Sequence, residues 1–240
     1  MAVSIANLTQ GSDEDGGSGS STASVSPSAD KLQLLTVGSR TGITADPNQP
    51  TVTGNGLTWV AVNTTVYDNS SSSRRRVTVF RAMGASPSAG AIAIDFGGQN
   101  QTNVTWILDE FTGMDTTGTN GSGAVVQSAV NQDVDGGVLT LTVTLAAFGD
   151  AGNATFGAFS VDNGSATTAA GAGGFALSGD IASSTGIKTS SEFRNDNDTS
   201  VSMDWSGVVD VIVGGVAIEI KVAAVVSSDF LPRLNLMGVG

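Results

Sequence analysis

The chain has 240 residues, 40% of them hydrophobic and only 13% charged, with 32 glycines, no histidine and no cysteine. Without those two residues it has no imidazole base, thiol nucleophile, disulfide or soft metal ligand, which removes most nucleophilic and transition-metal chemistry. Twenty-two acidic against ten basic residues give a formal net charge of −12, a field that repels phosphate backbones and anionic lipid, so neither nucleic acid nor membrane is expected as a partner.

The N-terminal residues 1–21 read as an arm, with a short strand over 3–8 followed by an acidic Gly/Ser-rich stretch, 11–21, of flexible-linker composition. Met1-Ala2-Val3-Ser4 lacks a basic n-region, and Asp13-Glu14-Asp15 precede any long apolar run, so no export signal is expected. Strands are predicted over 31–37, 57–66, 75–82, 92–96 and 104–111. Residues 124–129 are expected to form a helical turn at most. In Leu139-Thr140-Leu141-Thr142-Val143-Thr144-Leu145 every odd position is apolar and every even one threonine, the period of a strand with one face in a core. Further strands follow over 154–161, 201–205 and 216–222. The longest apolar stretch, 208–226, contains Asp210, Glu219 and Lys221 and alternates around them, so it reads as strand and not as a membrane helix.

Turn signals separate these runs at Asp46-Pro47-Asn48, Gly54-Asn55-Gly56, Asn69-Ser70-Ser71, Gly97-Gly98, Gly136-Gly137 and Asn163-Gly164. Many short strands with Gly- and Asn-rich turns give an all-β fold class, an antiparallel β-sandwich of jelly-roll-like form. One sandwich domain is expected over 22–226, flanked by the N-terminal arm and by a C-terminal arm, 227–240, that carries Phe230, Leu231, Leu234, Leu236 and Met237. Both arms are expected to pack on a neighbouring subunit, with docking onto their own domain as the alternative.

The segments Gly56-Leu57-Thr58-Trp59-Val60, Arg75-Arg76-Val77-Thr78-Val79-Phe80-Arg81-Ala82, Ser88-Ala89-Gly90-Ala91-Ile92-Ala93-Ile94-Asp95-Phe96, Val104-Thr105-Trp106-Ile107-Leu108-Asp109-Glu110-Phe111-Thr112-Gly113 and Val216-Ala217-Ile218-Glu219-Ile220 form a pattern of strands and aromatic positions. Over roughly 22–226 it resembles jelly-roll-like β-sandwich virion proteins of tailed bacteriophages. The resemblance implies a structural role, capsid decoration or a tail-associated appendage, in a virion assembled in the host cytoplasm. The implied partners are copies of the chain and other virion proteins, either major capsid or tail proteins. It transfers no site residues, cofactor or metal.

Ser28-Ala29-Asp30-Lys31 has S-x-x-K spacing, but it lies before a strand instead of opening a helix. Asp109 and Glu110 are adjacent on a strand and point to opposite faces, while Asp204 and Glu219 lie on different strands and are able to converge as an acid/base pair. Asn195-Asp196-Asn197-Asp198 and Asp133-Val134-Asp135-Gly136 are the best oxygen-rich candidates for calcium, though turn formation by Asx side chains explains both. Arg74, Arg75, Arg76 and Arg81 hold four of the ten basic residues and suggest a docking patch for an acidic neighbour, against the plainer reading of a charged strand edge. Trp59, Trp106 and Trp205 share parity with apolar neighbours and read as core. The eight Asn-x-Ser/Thr sequons follow from an Asn/Ser/Thr-rich composition. No enzyme activity or cofactor is expected. The alternative function is a tail- or surface-located receptor-binding module that takes glycan through loops at one end of the sandwich.

Overall fold

The structure, a computed structural model, describes residues 2–68, 73–184 and 186–224. All regular structure among them is strand: β1 Ser4–Asp13, β2 Gly19–Ser21, β3 Leu32–Arg40, β4 Thr51–Gly54, β5 Leu57–Thr58, β6 Val60–Val66, β7 Arg75–Ala82, β8 Ile92–Asp95, β9 Asn103–Thr112, β10 Val125–Val138, β11 Thr140–Thr144, β12 Ala154–Val161, β13 Thr167–Ala170, β14 Ala176–Ala182, β15 Lys188–Arg194, β16 Ser200–Ser206 and β17 Val211–Ile220. All ladders between these strands are antiparallel. They form two five-stranded sheets, ordered β1-β9-β3-β7-β6 and β10-β17-β12-β15-β14, and two small sheets, ordered β2-β8-β4-β5 and β11-β16-β13.

Three apolar clusters stack these sheets into four layers. Leu32, Leu34, Val77, Val79 and Phe111 of the first large sheet meet Phe156, Ala158, Phe193, Val216, Ile218 and Ile220 of the second. On its other side the first large sheet packs Leu35, Val37, Phe80, Trp106 and Leu108 against Val52, Ile92 and Ile94 of its small sheet. The second large sheet likewise packs Phe159, Val161, Val213 and Ala217 against Leu141, Val143, Val201, Met203 and Trp205. Both large sheets are therefore covered on both faces, and all eight residues of β12 are buried.

The chain is two topologically equivalent halves in tandem. In chain order, the large-sheet strands of residues 2–112 (β1, β3, β6, β7, β9) and of 113–224 (β10, β12, β14, β15, β17) adopt the same spatial order: first, fifth, second, fourth, third. The small sheets correspond as well, β2-β8-β4 to β11-β16-β13, and β5 alone has no counterpart. Exchanging the halves also exchanges the two open sides of the central sandwich. On one side β1 faces β14, where Gln10 and the backbone of Asp180 bond reciprocally, at 3.2 and 3.1 Å. On the other β6 faces β10, where Asn63 Nδ2 donates to Ser128 Oγ at 3.1 Å and the Thr65 hydroxyl donates to Gln132.

This arrangement alters two expectations. Residues 11–21 are not a free linker on a neighbouring subunit: β1 is the first large-sheet strand of its half, equivalent to β10, and β2 pairs with β8. Gly11 is a close-approach glycine, since a Cβ there would lie 2.6 Å from the Trp106 ring. Residues 125–129 begin β10 and do not form a helical turn, because pairing to β17 supplies ladder partners there. At the expected Gly54-Asn55-Gly56 turn, Asn55 and Gly56 have φ of 56° and 64°, the left-handed pair of a tight hairpin, joining β4 to β5. The C-terminal arm, with Phe230, Leu231, Leu234, Leu236 and Met237, lies outside the described residues.

Candidate functional site

The interior between the large sheets divides into an apolar end and a polar end. At the polar end a chain of hydroxyls crosses from sheet to sheet: Tyr67 to Ser160 at 2.9 Å, Thr189 to Ser160 at 3.1 Å and Thr105 to Thr189 at 2.7 Å. Gly38 faces this group, and burial pushes the Tyr67 phenol well above its ordinary pKa. Beside it, fully buried Asp68 pairs with Arg75.

The arginines predicted as a docking patch are largely spent here. Arg75 is only 8% exposed, and desolvation lowers its pKa. Arg74 pairs with Asp46 at 3.3 Å, and Arg76 donates to the Pro47 carbonyl at 2.7 Å and to Thr64 Oγ1 at 3.0 Å. Arg81, on the same strand, is half-buried. Alternation along β7 sends Arg75 inward, which sequence clustering does not reveal.

The seam between β1 and β14 carries two adjoining grooves, each of about 330 Å³. The polar groove is lined by Asn7, Gln10, Leu177, Ser178, Gly179 and Asp180. Beneath it lies Asp109, with no exposed surface, accepting from Asn7 Nδ2 at 3.1 Å, Ser191 Oγ at 3.0 Å and Ser178 Oγ at 3.2 Å. Burial outweighs these bonds and raises its pKa to about 6. The groove's polar groups are mostly committed: Gln10 to the Asp180 backbone, and the Asp180 carboxylate to Lys188 at 2.8 Å and Ser190 at 2.6 Å. The second groove is lined by Val3, Ser4, Ile5, Gly174, Ala176, Phe193, Arg194 and Asn195, with an apolar floor.

Each carboxylate of the expected acid/base pairs is hydrogen-bonded to partners of its own. Asp109 and Glu110 face opposite layers, as alternation predicts, and Glu110 accepts from Ser28 N at 2.6 Å, Ser28 Oγ at 2.8 Å and Gln33 Nε2 at 2.8 Å. Ser28 is thus bound to a carboxylate just before the turn at Ala29 and Asp30. Asp204 accepts from Thr140 Oγ1 at 2.5 Å, whereas Glu219 is held by Gln127 and Asn153 at 2.6 and 2.5 Å. Glu192 was not singled out by sequence because nothing in Lys188-Thr189-Ser190-Ser191-Glu192 marks it as buried. It has no exposed surface, accepts one bond from Gly171 N at 2.7 Å, and its Oε1 has no hydrogen-bond partner. Desolvation, with smaller contributions from Asp204 and Asp198, raises its pKa to about 8.

Neither calcium candidate assembles a cation cage. Asp196 and Asp198 both pair with Arg194, the latter at 2.7 Å, and Asp133 Oδ1 caps the backbone of Asp135 and Gly136 at 3.2 and 2.8 Å. Among the described residues no group of three or more acidic side chains is placed to hold a metal ion. Trp106 and Trp205 are 6% and 3% exposed, and Trp59 packs part-buried on the outer cluster of the first half. Tyr67, the chain's one tyrosine, has no exposed surface. Comparison with protein-family models, curated protein sequences and solved structures found no match to this chain.

Proposed function

We propose that the protein is a non-enzymatic structural component of a virion, one that decorates or cements a phage capsid through contacts with copies of itself and with other virion proteins. The observation that carries this reading is the strand order of each half. The orders β1-β9-β3-β7-β6 and β2-β8-β4-β5 of the two packed sheets support a jelly-roll-like reading, an architecture used by viral capsid proteins. The near-repetition of these orders in the second half supports the same reading of the whole chain. The internal commitment of the buried carboxylates and arginines supports a scaffold over a catalyst. A rigid four-layer block with acidic outer surface would stabilise a shell by mass action, each contact burying roughly 1,000–2,000 Å².

Electron microscopy of native particles containing the chain tests this reading. Many copies in regular array on a shell are expected. A few copies at a tail tip would instead favour the receptor-binding alternative, and a free monomer would refute both. Jelly rolls also serve as lectins, and the amide- and hydroxyl-lined groove of Asn7, Gln10 and Ser178 is the place where glycan would sit. Against that alternative, its polar groups are largely occupied and no exposed tryptophan or tyrosine stands over it among the described residues.

A further inference from the structure

We infer that the β6/β10 side of the central sandwich is a docking surface for a second copy of this chain, with Val126 and Val130 of one copy packed on Val130 and Val126 of the other. The opposite seam shows what the fold itself requires at this place. The continuous ladders of β1 and β10 run to the first aspartate of equivalent turns, Asp13-Glu14-Asp15-Gly16-Gly17 and Asp133-Val134-Asp135-Gly136-Gly137. In both turns that aspartate's Oδ1 accepts from the N–H two residues on, at 3.0 and 3.2 Å, and the first glycine has φ of 76° and 78°. Three residues before the aspartate, β1 has Gln10, which closes its seam by bonding the Asp180 backbone in both directions. On the equivalent rung β10 has Val130, paired with Val216 and 42% exposed. Val126, the extra residue of the bulge between Val125 and Gln127, is 50% exposed on the same strand. The fold thus has no need of a valine on that rung, whereas a contact that buries both valines gains their apolar area.

Charge and dimensions select a second copy as the occupant. A net charge of −12 makes most surfaces of two copies repel each other. Here β6 and β11 carry no charged residue, and β10 carries only Asp133 and Asp135, both toward one end. A two-fold contact with the β10 strands antiparallel places those acidic ends far apart and the valines at its centre. Around the valines stand Asn63, Ser128, Thr65 and Gln132, bonded to one another in pairs, which gives the charge-depleted core of an interface. Asn63 and Asn131 each turn Oδ1 onto the next N–H, that of Thr64 and of Gln132, at 2.9 Å. These edges therefore lack an unbroken row of donors, and the contact is made by side chains and not by strand addition. Strands of this length and four layers give a side of roughly 25 by 30 Å, close to the roughly 800 Å² per partner of a standard interface. This contact is a property of the chain free in solution and does not depend on the virion reading.

Sedimentation of the full-length protein tests this contact. At about 100 µM it should run at twice the chain mass, since a contact of standard size gives micromolar affinity or tighter. Val130→Asp should run as a monomer, its dissociation constant raised about a hundredfold or more by the like charges it brings together. Val209→Asp, at the 92% exposed valine of the β16–β17 turn, should leave the dimer intact. Should Val130→Asp fail to fold, the absence of cysteine gives a second reading through Val126→Cys with Val130→Cys. Residues four apart on a strand lie about 13 Å from each other, too far for a disulfide within one chain. Under mild oxidation this variant should link two chains about tenfold faster than Val209→Cys. A monomeric full-length protein, a dimer that survives Val130→Asp, or equal rates of linking would each overturn the inference. Assemblies larger than a dimer would also overturn it, since a two-fold contact closes on itself. None of these outcomes bears on the array that microscopy of native particles reads, so the two readings fail separately.

Discussion

Glu192→Gln is the substitution that tests the electrostatics of the stack most directly. Glu192 lies on β15 between the second large sheet and its small sheet, with Oε2 on Gly171 N and Oε1 without a partner. Its pKa of about 8, against an ordinary 4.5, means the folded state holds a proton that the unfolded chain releases. A raised acid pKa contributes stability that is fully present below about 4.5 and is lost as pH rises through 8. At about 1.4 kcal/mol per pH unit, the loss is on the order of 3 kcal/mol by pH 7 and 5 kcal/mol by pH 9. The amide is isosteric and cannot ionise. At pH 5 the variant should match the wild type, less about 1–3 kcal/mol for the unpaired amide group. By pH 9 it should be the more stable protein, with a melting temperature higher by on the order of 10 °C. Urea unfolding followed by tryptophan fluorescence at pH 5, 7 and 9 reads this crossover. A constant difference between the two proteins across that range would refute the burial argument.

Asp109→Asn should act in the same direction over a lower window. With a folded pKa of about 6 against 3.8, the wild type loses on the order of 3 kcal/mol as pH rises from about 4 to above 6, and the asparagine variant should not; parallel thermal-melt profiles would show the reasoning wrong. Gly38→Ala places a Cβ 2.3, 2.7 and 2.8 Å from the hydroxyls of Thr189, Thr105 and Ser160. It should cost about 1–3 kcal/mol in denaturant unfolding through overpacking, and a neutral result would mean the sheets do not meet there. Arg75→Ala removes one member of a buried ion pair with Asp68, so a loss of about 3–5 kcal/mol is expected. A loss below about 1 kcal/mol, the size of a surface pair, would place Arg75 outside the interior.

How much was legible in the sequence depends on how each strand is buried. Arg75–Ala82 and Ala154–Val161 begin and end where the alternation and flanking turns place them, because strand period and turn chemistry are local properties. The opposite facing of Asp109 and Glu110 and the burial of Trp106 and Trp205 are local in the same sense. Lys188–Arg194 was missed because its buried positions are Thr189, Ser190, Ser191, Glu192 and Phe193: hydroxyls that bond across a sheet interface carry no apolar alternation. Residues 11–21 read as linker because Gly11 and the short β2 look flexible until Trp106 and β8 are placed against them. The candidate grooves were invisible for a related reason. Asn7, Gln10, Ser178 and Phe193 come from strands about 170 residues apart in the chain, joined only when two equivalent halves stack face to face.

By itself, then, the sequence determined an acidic, cysteine-free, antiparallel β-protein, since composition, period and turn residues act over a few positions. The tertiary structure alone decided that the strands form two matching halves in four layers. Strand order and sheet stacking are set by non-local pairing, and the same large-sheet order is built twice here from strands whose side chains differ. The same non-local packing buried Arg75 and Glu192, turning charges that look solvent-facing in the sequence into interior groups.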